Sequence, residues 1–290
     1  MINDLWGSSK LSMEDKIKTA SNFFVRKRGN IASADKVYTG SQINGLLPEN
    51  WDKTKHNIVI FNSSEDELAS LGEEYDQMNM FPSQYQGVKY IFNQFKDNQD
   101  IHFYLRIHPN LKDIPYAYHK RLYDFDNFNN VTIIPGSSPI STYALMDHAD
   151  KIITFGSSTG SEANFAGKPV ILLGCSLYRF LDVAYIANST EELKKLILDF
   201  DLPAKDKLGA LKWAYYAMNN EFEKIELYTN HKKIRIKFLN KTLTLTKTKV
   251  ANKWWSQYII LLYELIGKYA WMKSDHSFPV KEQPIDELDM

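Results

Sequence analysis

The sequence predicts an α/β fold: a parallel sheet flanked by helices, followed by a basic and helical C-terminal extension. Three observations predict it. Short all-apolar runs such as Ile58-Val59-Ile60-Phe61 have the pattern of strands buried on both faces of a sheet. These runs alternate with helical patterns about every 25 residues, the rhythm of βαβ units with right-handed crossovers. Beyond Pro203 that rhythm stops and the charge pattern changes.

The elements follow in order. Met13 to Phe24 has a helical pattern, opened by Ser12 with Asp15 three residues on, a capping box with Asp in place of Glu. Asn44 to Lys55, with Gly45 and Pro48, is a connection. The first strand, Ile58 to Phe61, runs into the polar loop Asn62-Ser63-Ser64-Glu65-Asp66-Glu67. A helix from Gln84 to Phe95 carries Tyr85, Val88, Ile91, Phe92 and Phe95 on one face. The second strand, His102 to Ile107, ends in His108-Pro109-Asn110, and a helix over Tyr116–Phe125 leads to a third, Val131 to Ile134. Ser141 starts the next helix, and Lys151 to Phe155 is a fourth strand that turns through Gly156-Ser157-Ser158-Thr159-Gly160 into a helix at Ser161. Pro169 to Leu173 is a fifth strand and Ala184 to Ala187 a sixth, before a helix opened by Ser189. Leu211 to Phe222 is an aromatic-rich helix, Ile234 to Val250 alternates like a strand pair with one wet face, and Trp254 to Trp271 is an amphipathic helix.

At ~150 residues per domain, 290 residues allow about two domains. Three segments are expected: 1–55, a helical piece resembling the remnant of another domain; 56–203, the sheet domain; and 204–290, the extension. Lys+Arg 35 against Asp+Glu 35 gives zero net charge, which excludes a protein built mainly to coat nucleic acid. The single cysteine, Cys175, excludes an intrachain disulfide and a Cys-rich zinc site. Neither a signal peptide nor the ~20 apolar residues of a spanning helix is found, so the expected place is the cytoplasm or the inner membrane surface. The stretch Lys224 to Lys253 holds nine Lys/Arg and one acid. Lys232, Lys233, Arg235 and Lys237 within it would meet an anionic surface, or form a solvated sheet face.

In parallel α/β sheets ligands bind off the carboxyl ends of the strands, and the polar motifs fall there. Ser157, Ser158 and Thr159, with free amides at a helix start, form a phosphate cradle; an ordinary Ser/Thr cap is the alternative. Gly156 to Gly160 also spells the Gly-x-Ser-x-Gly of a serine hydrolase, with Ser158 as nucleophile, but no Gly-rich oxyanion segment accompanies it. Pro109 pins the backbone so that His108 projects at the rim, where an imidazole can stabilise a leaving phosphate. Glu65 and Asp66 are candidate bases on the first loop. No metal-ligand spacing occurs.

A strand with a polar loop, a strand ending in His108-Pro109, and a strand ending in Ser157-Ser158 with Glu162-Ala163 and Gly167-Lys168-Pro169-Val170-Ile171 resembles the nucleotide-binding half of GT-B glycosyltransferases. The likeness is to bacterial capsule and surface-polysaccharide transferases, including the capsule Kdo-transferase-like group, and also to bacterial sialyltransferases, over about residues 56–200. It implies a Rossmann-like, GT-B C-terminal-type domain and a metal-independent glycosyltransferase using a nucleotide-activated donor, CMP-sugar before UDP-sugar, and a glycan or lipid-linked acceptor. No separate cofactor is implied. His108, Ser157 and Ser158 would contact the donor phosphate, with Thr159 and Gly160 beside them. Glu162 would hold the ribose or sugar, Gly136 would lie in the turn that holds the base, and Arg106 would supply charge. Only ~50 residues precede the first strand, too few for a second domain of equal size, so a partner or further domain is expected. A noncatalytic module of a membrane-associated assembly and a nucleotide-sugar epimerase are the alternatives.

Overall fold

The computed structural model describes residues 2–31, 38–65, 77–112 and 117–218, and three strands between 226 and 246. Its centre is a five-stranded parallel sheet made of β1 (His56–Phe61), β2 (Ile101–Arg106), β3 (Val131–Ile134), β4 (Lys151–Thr154) and β5 (Val170–Leu172), in the order β3-β2-β1-β4-β5. Register aligns Phe61 with Arg106 on one side and Thr154 on the other, so three strands end level. The chain leaves β1 for β2 on one side and reaches β4 on the other, which puts the topological switch point at the end of β1.

Alternate residues of the strands feed two cores, which is why their middles are apolar on both faces. Ile58, Ile60, Phe103, Leu105 and Ile153 pack with Val88, Ile91, Phe92 and Phe95 of α3 (Gln84–Phe95) and with Leu193 and Ile197 of α7 (Thr190–Leu198). Val59, Phe61, Tyr104 and Ile152 pack on the other face with Leu145 and Met146 of α5 (Thr142–His148) and Ala163 of α6 (Thr159–Phe165). Full burial of such side chains contributes roughly 1.5–3 kcal/mol each.

A third cluster lies beside the sheet. Trp6 of α1 (Ile2–Ser8) and Ala20, Phe23 and Phe24 of α2 (Met13–Arg28) close on Ala210, Ala214 and Tyr215 of α8 (Leu208–Met218). Phe24 stacks on Phe165 at 4.2 Å between centroids, which ties α2 to the end of α6. Serine caps set where α2, α3, α5 and α7 begin: Ser12, Ser83, Ser141 and Ser189 each accept a backbone N–H three residues on. The chain divides after Met218 into two compact units. The first holds α1, α2 and α8 together with the sheet, so its limit differs from the segment boundaries expected at 55 and 203.

Four expected elements differ. Ala184 to Ala187 is not a sixth strand; Tyr185 makes a single parallel bridge to Ile171. The helix expected over Tyr116–Phe125 reduces, among the described residues, to one turn, α4 (Ala117–Lys120), and a 3-10 turn, Arg121–Tyr123. The aromatic-rich helix begins at Leu208 rather than Leu211. In the second unit the expected strand pair is an antiparallel three-stranded sheet, β6 (Glu226–Asn230), β7 (Lys233–Phe238) and β8 (Lys241–Thr246). Lys233, Arg235 and Lys237 occupy alternate positions of its central strand, opposite Thr246, Thr244 and Thr242. Lys232 and the helix expected at Trp254 to Trp271 lie outside the described residues. Among the described residues no helix is long and apolar enough to cross a membrane.

Lys151, at the start of β4, is fully buried, and its Nζ donates to the carbonyls of Leu196 (2.6 Å), Ile197 (2.8 Å) and Asp199 (3.0 Å). It thereby closes the C-terminal end of α7 onto the sheet. Lys151→Met leaves those carbonyls without their donor and should cost about 2–4 kcal/mol, read as a lower denaturant midpoint; an unchanged midpoint would remove this role.

Candidate functional site

A cavity of about 310 Å³ opens at the switch point, lined from the ends of β1, β2 and β4, the starts of α5 and α6, and the last turn of α2. Strands β2 and β4 flank β1, so their ends stand about 10 Å apart, and the cavity spans that distance. Arg106, His108, Ser157, Ser158, Thr159 and Glu162 all line it. The two separate sequence motifs therefore face one space.

The turn after β4 depends on two glycines. Gly156 takes φ of 113°, a left-handed conformation that turns the chain off the strand. A Cβ on Gly160 would come within 2.2 Å of the Tyr178 hydroxyl and 2.9 Å of Thr154 Cγ2. That space admits Tyr178, whose hydroxyl donates to the Ser157 carbonyl at 2.6 Å. A trans peptide directs its N–H opposite to its carbonyl, so the Ser158 N–H points away from Tyr178. Ser158 itself is helical, at φ −57° and ψ −20°, and its hydroxyl meets Lys27 and Glu162. It lacks the strained turn of a hydrolase nucleophile, which corrects the Gly-x-Ser-x-Gly reading. The Thr159 hydroxyl is buried without a partner among the described residues.

Opposite, the His108 N–H donates to Asn62 Oδ1 at 2.7 Å, so the loop after β1 sets the loop after β2. His108 Nδ1 sits against Asn110 Oδ1, and Tyr38 packs edge-on against the ring at 4.9 Å. Burial depresses the imidazole's pKa, the Asn110 contact opposes that, and the Arg106 and Lys27 charges depress it further. Arg106 is 1% exposed; its guanidinium donates to the carbonyls of Pro135 (2.6 Å) and Ser138 (3.2 Å), and its Nε has no partner among the described residues. Burial pulls its pKa down to about 10. The turn after β3 thus positions Arg106. Gly136 in that turn packs on the backbone, where a Cβ would stand 2.9 Å from the His108 carbonyl, and does not line the cavity.

Of the two expected acids on the loop after β1, one is described and lies outside the cavity. The Glu65 carboxylate accepts the N–H of Gln84 at the start of α3 and lines a separate crevice with Tyr85 and His119. Asp66 falls outside the described residues. Glu162 is the only carboxylate among the described residues that line the cavity. Its Oε1 accepts from Lys27 Nζ (3.2 Å) and Ser158 Oγ (3.2 Å), its Oε2 from the Tyr143 hydroxyl (2.9 Å). Burial first, then the Glu162 charge, push the Tyr143 pKa far above its usual value.

Lys27, Tyr38 and Tyr143 were not expected in the site. For Lys27 a signal existed: Lys16, Ala20, Phe23, Phe24 and Lys27 share the buried stripe of α2, and a lysine on such a stripe needs a partner. Ending the helix at Phe24 hid it. Among the described residues no three His, Cys, Asp or Glu side chains gather to hold a metal ion.

The level strand ends, the cavity at the switch point and the helices on both faces define a Rossmann-like α/β unit. A family model described as capsule polysaccharide biosynthesis protein matches residues 74–195, and over that segment the chain is similar to such proteins, as its motif order implies. The KpsC β-Kdo 2,4-transferase of Thermosulfurimonas dismutans is similar at 15% identity over 74% of this chain and 60% of that one, TM-score 0.47. The KpsC β-Kdo 2,7-transferase of the same organism is similar at 15% identity over 91% of this chain and 66% of that one, TM-score 0.42. UDP-GlcNAc 2-epimerase from Neisseria meningitidis, bound to UDP-GlcNAc, is similar at 16% identity over 60% of this chain and 46% of that one, TM-score 0.39. The chain thus spans less than two thirds of the length of each of these three chains. No curated protein matches it.

Gly160→Ala should drive the new methyl into Tyr178 and Thr154, lowering stability by about 1–3 kcal/mol and weakening any phosphate binding at this turn about tenfold or more. Calorimetric titration of the folded variant checks the second effect, and wild-type affinity would dissociate the turn from the site.

Proposed function

We propose that the cavity binds the phosphate end of a nucleotide-activated sugar and that the protein transfers the sugar to a glycan or lipid-linked acceptor in surface polysaccharide synthesis. The observation that carries this reading is the convergence of Lys27, Arg106, His108 and the Ser157-Ser158-Thr159 turn on one cavity at the switch point. In the reaction an acceptor hydroxyl attacks the anomeric carbon while the nucleotide leaves through an oxocarbenium-like state. Lys27, Arg106, the Ser158 amide and His108 face the charge growing on the departing phosphate. A base raises the nucleophilicity of the acceptor hydroxyl, and Asp66, which follows β1 in the sequence, is our candidate. CMP is the first-choice nucleotide and UDP the second, on the His108-Pro109 and Ser157-Ser158 motifs. The basic residues Lys232, Lys233, Arg235 and Lys237 would hold the enzyme at an anionic membrane surface near lipid-linked acceptors.

Titration with CMP, CDP, UDP and GDP tests the donor reading: one of them should bind at millimolar or tighter affinity, and none binding would end it. The same titration carries a pH signature. His108 is held neutral by burial and by its cationic neighbours, and a bound phosphate favours its protonated form. Binding therefore takes up a proton, so affinity should rise as the pH falls from about 8 to about 6, and His108→Gln should flatten the profile.

A second reading is favoured by one observation. The only described carboxylate of the cavity, Glu162, is paired with Lys27, so no described carboxylate there is free to act as base. A noncatalytic module would bind nucleotide and transfer nothing. Asp66→Asn should lower transfer about 10²–10⁴-fold while leaving nucleotide affinity unchanged. Wild-type protein that binds donor but transfers to no glycan or lipid-linked acceptor favours the module.

A further inference from the structure

Glu162 lies at the helix start where a carboxylate could take the hydroxyls of a ribose, yet three donors of the protein already hold it. It is 6% exposed and its Lys27 partner 8%. A carboxylate has about four lone-pair positions, and Lys27, Ser158 and Tyr143 occupy three of them. It also sits badly for a ligand contact in electrostatic terms. Lys27 Nζ lies 3.0 Å from Ser158 Oγ, so any phosphate reaching the Ser157-Ser158 turn comes close to both the ammonium and the carboxylate. Between side chains this buried, the attraction and the repulsion are both larger than in water.

The rest of the cavity points to an anion independently. Arg106 is buried and faces the same space; among the described residues it has no acid beside it, its guanidinium meets only carbonyls, and its Nε meets nothing. A buried cation without a counter-charge costs several kcal/mol unless a ligand supplies one. Lys27 is paired with Glu162, so among the described residues that line the cavity Arg106 is the cation that faces no carboxylate. A phosphate or diphosphate needs more than one cation, and Lys27 is the second within reach.

We propose that Glu162 is a stand-in for the ligand rather than a contact to it: in the empty protein its carboxylate holds Lys27 in the cavity, and an incoming phosphate group takes over the ammonium. The α2 helix is fixed well enough to present Lys27 in both states. Phe24 stacks on Phe165, and the neighbouring Arg28 forms a two-pronged pair with Asp147 of α5 at 2.7 and 2.8 Å. Tyr143, donating to Oε2, keeps the released carboxylate supplied with a partner. The inference rests on reading the cavity as an anion site, and not on which nucleotide fills it.

The two roles of Glu162 predict opposite signs. Wild type, Glu162→Gln, Lys27→Met and the double variant are titrated with inorganic pyrophosphate and with whichever nucleotide wild type binds, by calorimetry and thermal shift. As a stand-in, Glu162→Gln melts lower without ligand, because Lys27 loses its carboxylate partner, and binds pyrophosphate about tenfold or more tightly than wild type; Lys27→Met binds it at least tenfold more weakly. Should Glu162→Gln not fold, the double variant compared with Lys27→Met reads the same sign, since removing the carboxylate must then strengthen binding. Weaker binding by Glu162→Gln, undiminished binding by Lys27→Met, or no response of wild type to pyrophosphate overturns the proposal. A wild type that binds pyrophosphate but no nucleotide refutes the donor reading and leaves the Lys27 assignment in place.

Discussion

Burial of the sheet on both faces is the constraint from which the rest of the architecture follows. Once alternate residues of the strands feed two apolar cores, the middle of the sheet is apolar and most of its polar side chains fall at the strand ends. Chemistry is confined to where the strands stop. Register makes β1, β2 and β4 stop together, and the reversal of strand order at β1 leaves a crevice that no crossover covers. The cavity is thus where the topology requires a gap.

What fills the gap is charge held in place by polar neighbours. Backbone carbonyls of the turn after β3 orient Arg106, Asn62 orients the backbone at His108, and Tyr178 orients the Ser157 peptide. Each of these supports is a hydrogen bond within the protein, in place without any ligand. The family match over residues 74–195 encloses Arg106, His108 and the Ser157-Ser158 turn, and Lys27 lies outside it.

The sheet was legible because a strand buried on both faces leaves an unbroken apolar run, and β1, β2, β4 and β5 each have one. The paired motifs were legible for the same reason, since each follows such a run directly. Ala184 to Ala187 misled because it is apolar and follows a turn, and yet only Tyr185 reaches the edge of β5. Lys27 was missed because its role depends on where α2 docks, and that is decided by Phe24 meeting Phe165 and by the α8 cluster, contacts far apart in sequence. Glu65 was drawn to the cavity by its place in a loop at the correct edge. Its carboxylate instead caps α3, a choice that local sequence does not specify.

The docking of α2 also has a temporal meaning. Its lysine meets a glutamate 135 positions downstream, and the hydroxyl of Ser9, just before it, meets that of Tyr215 across 206 positions. During synthesis the first helices must therefore wait for nearly the whole α/β unit to emerge before their apolar side is covered. A nascent chain released before α8 exists would have its sheet but lack one wall of its cavity. The wall that α2 gives the cavity is therefore a property of the finished unit.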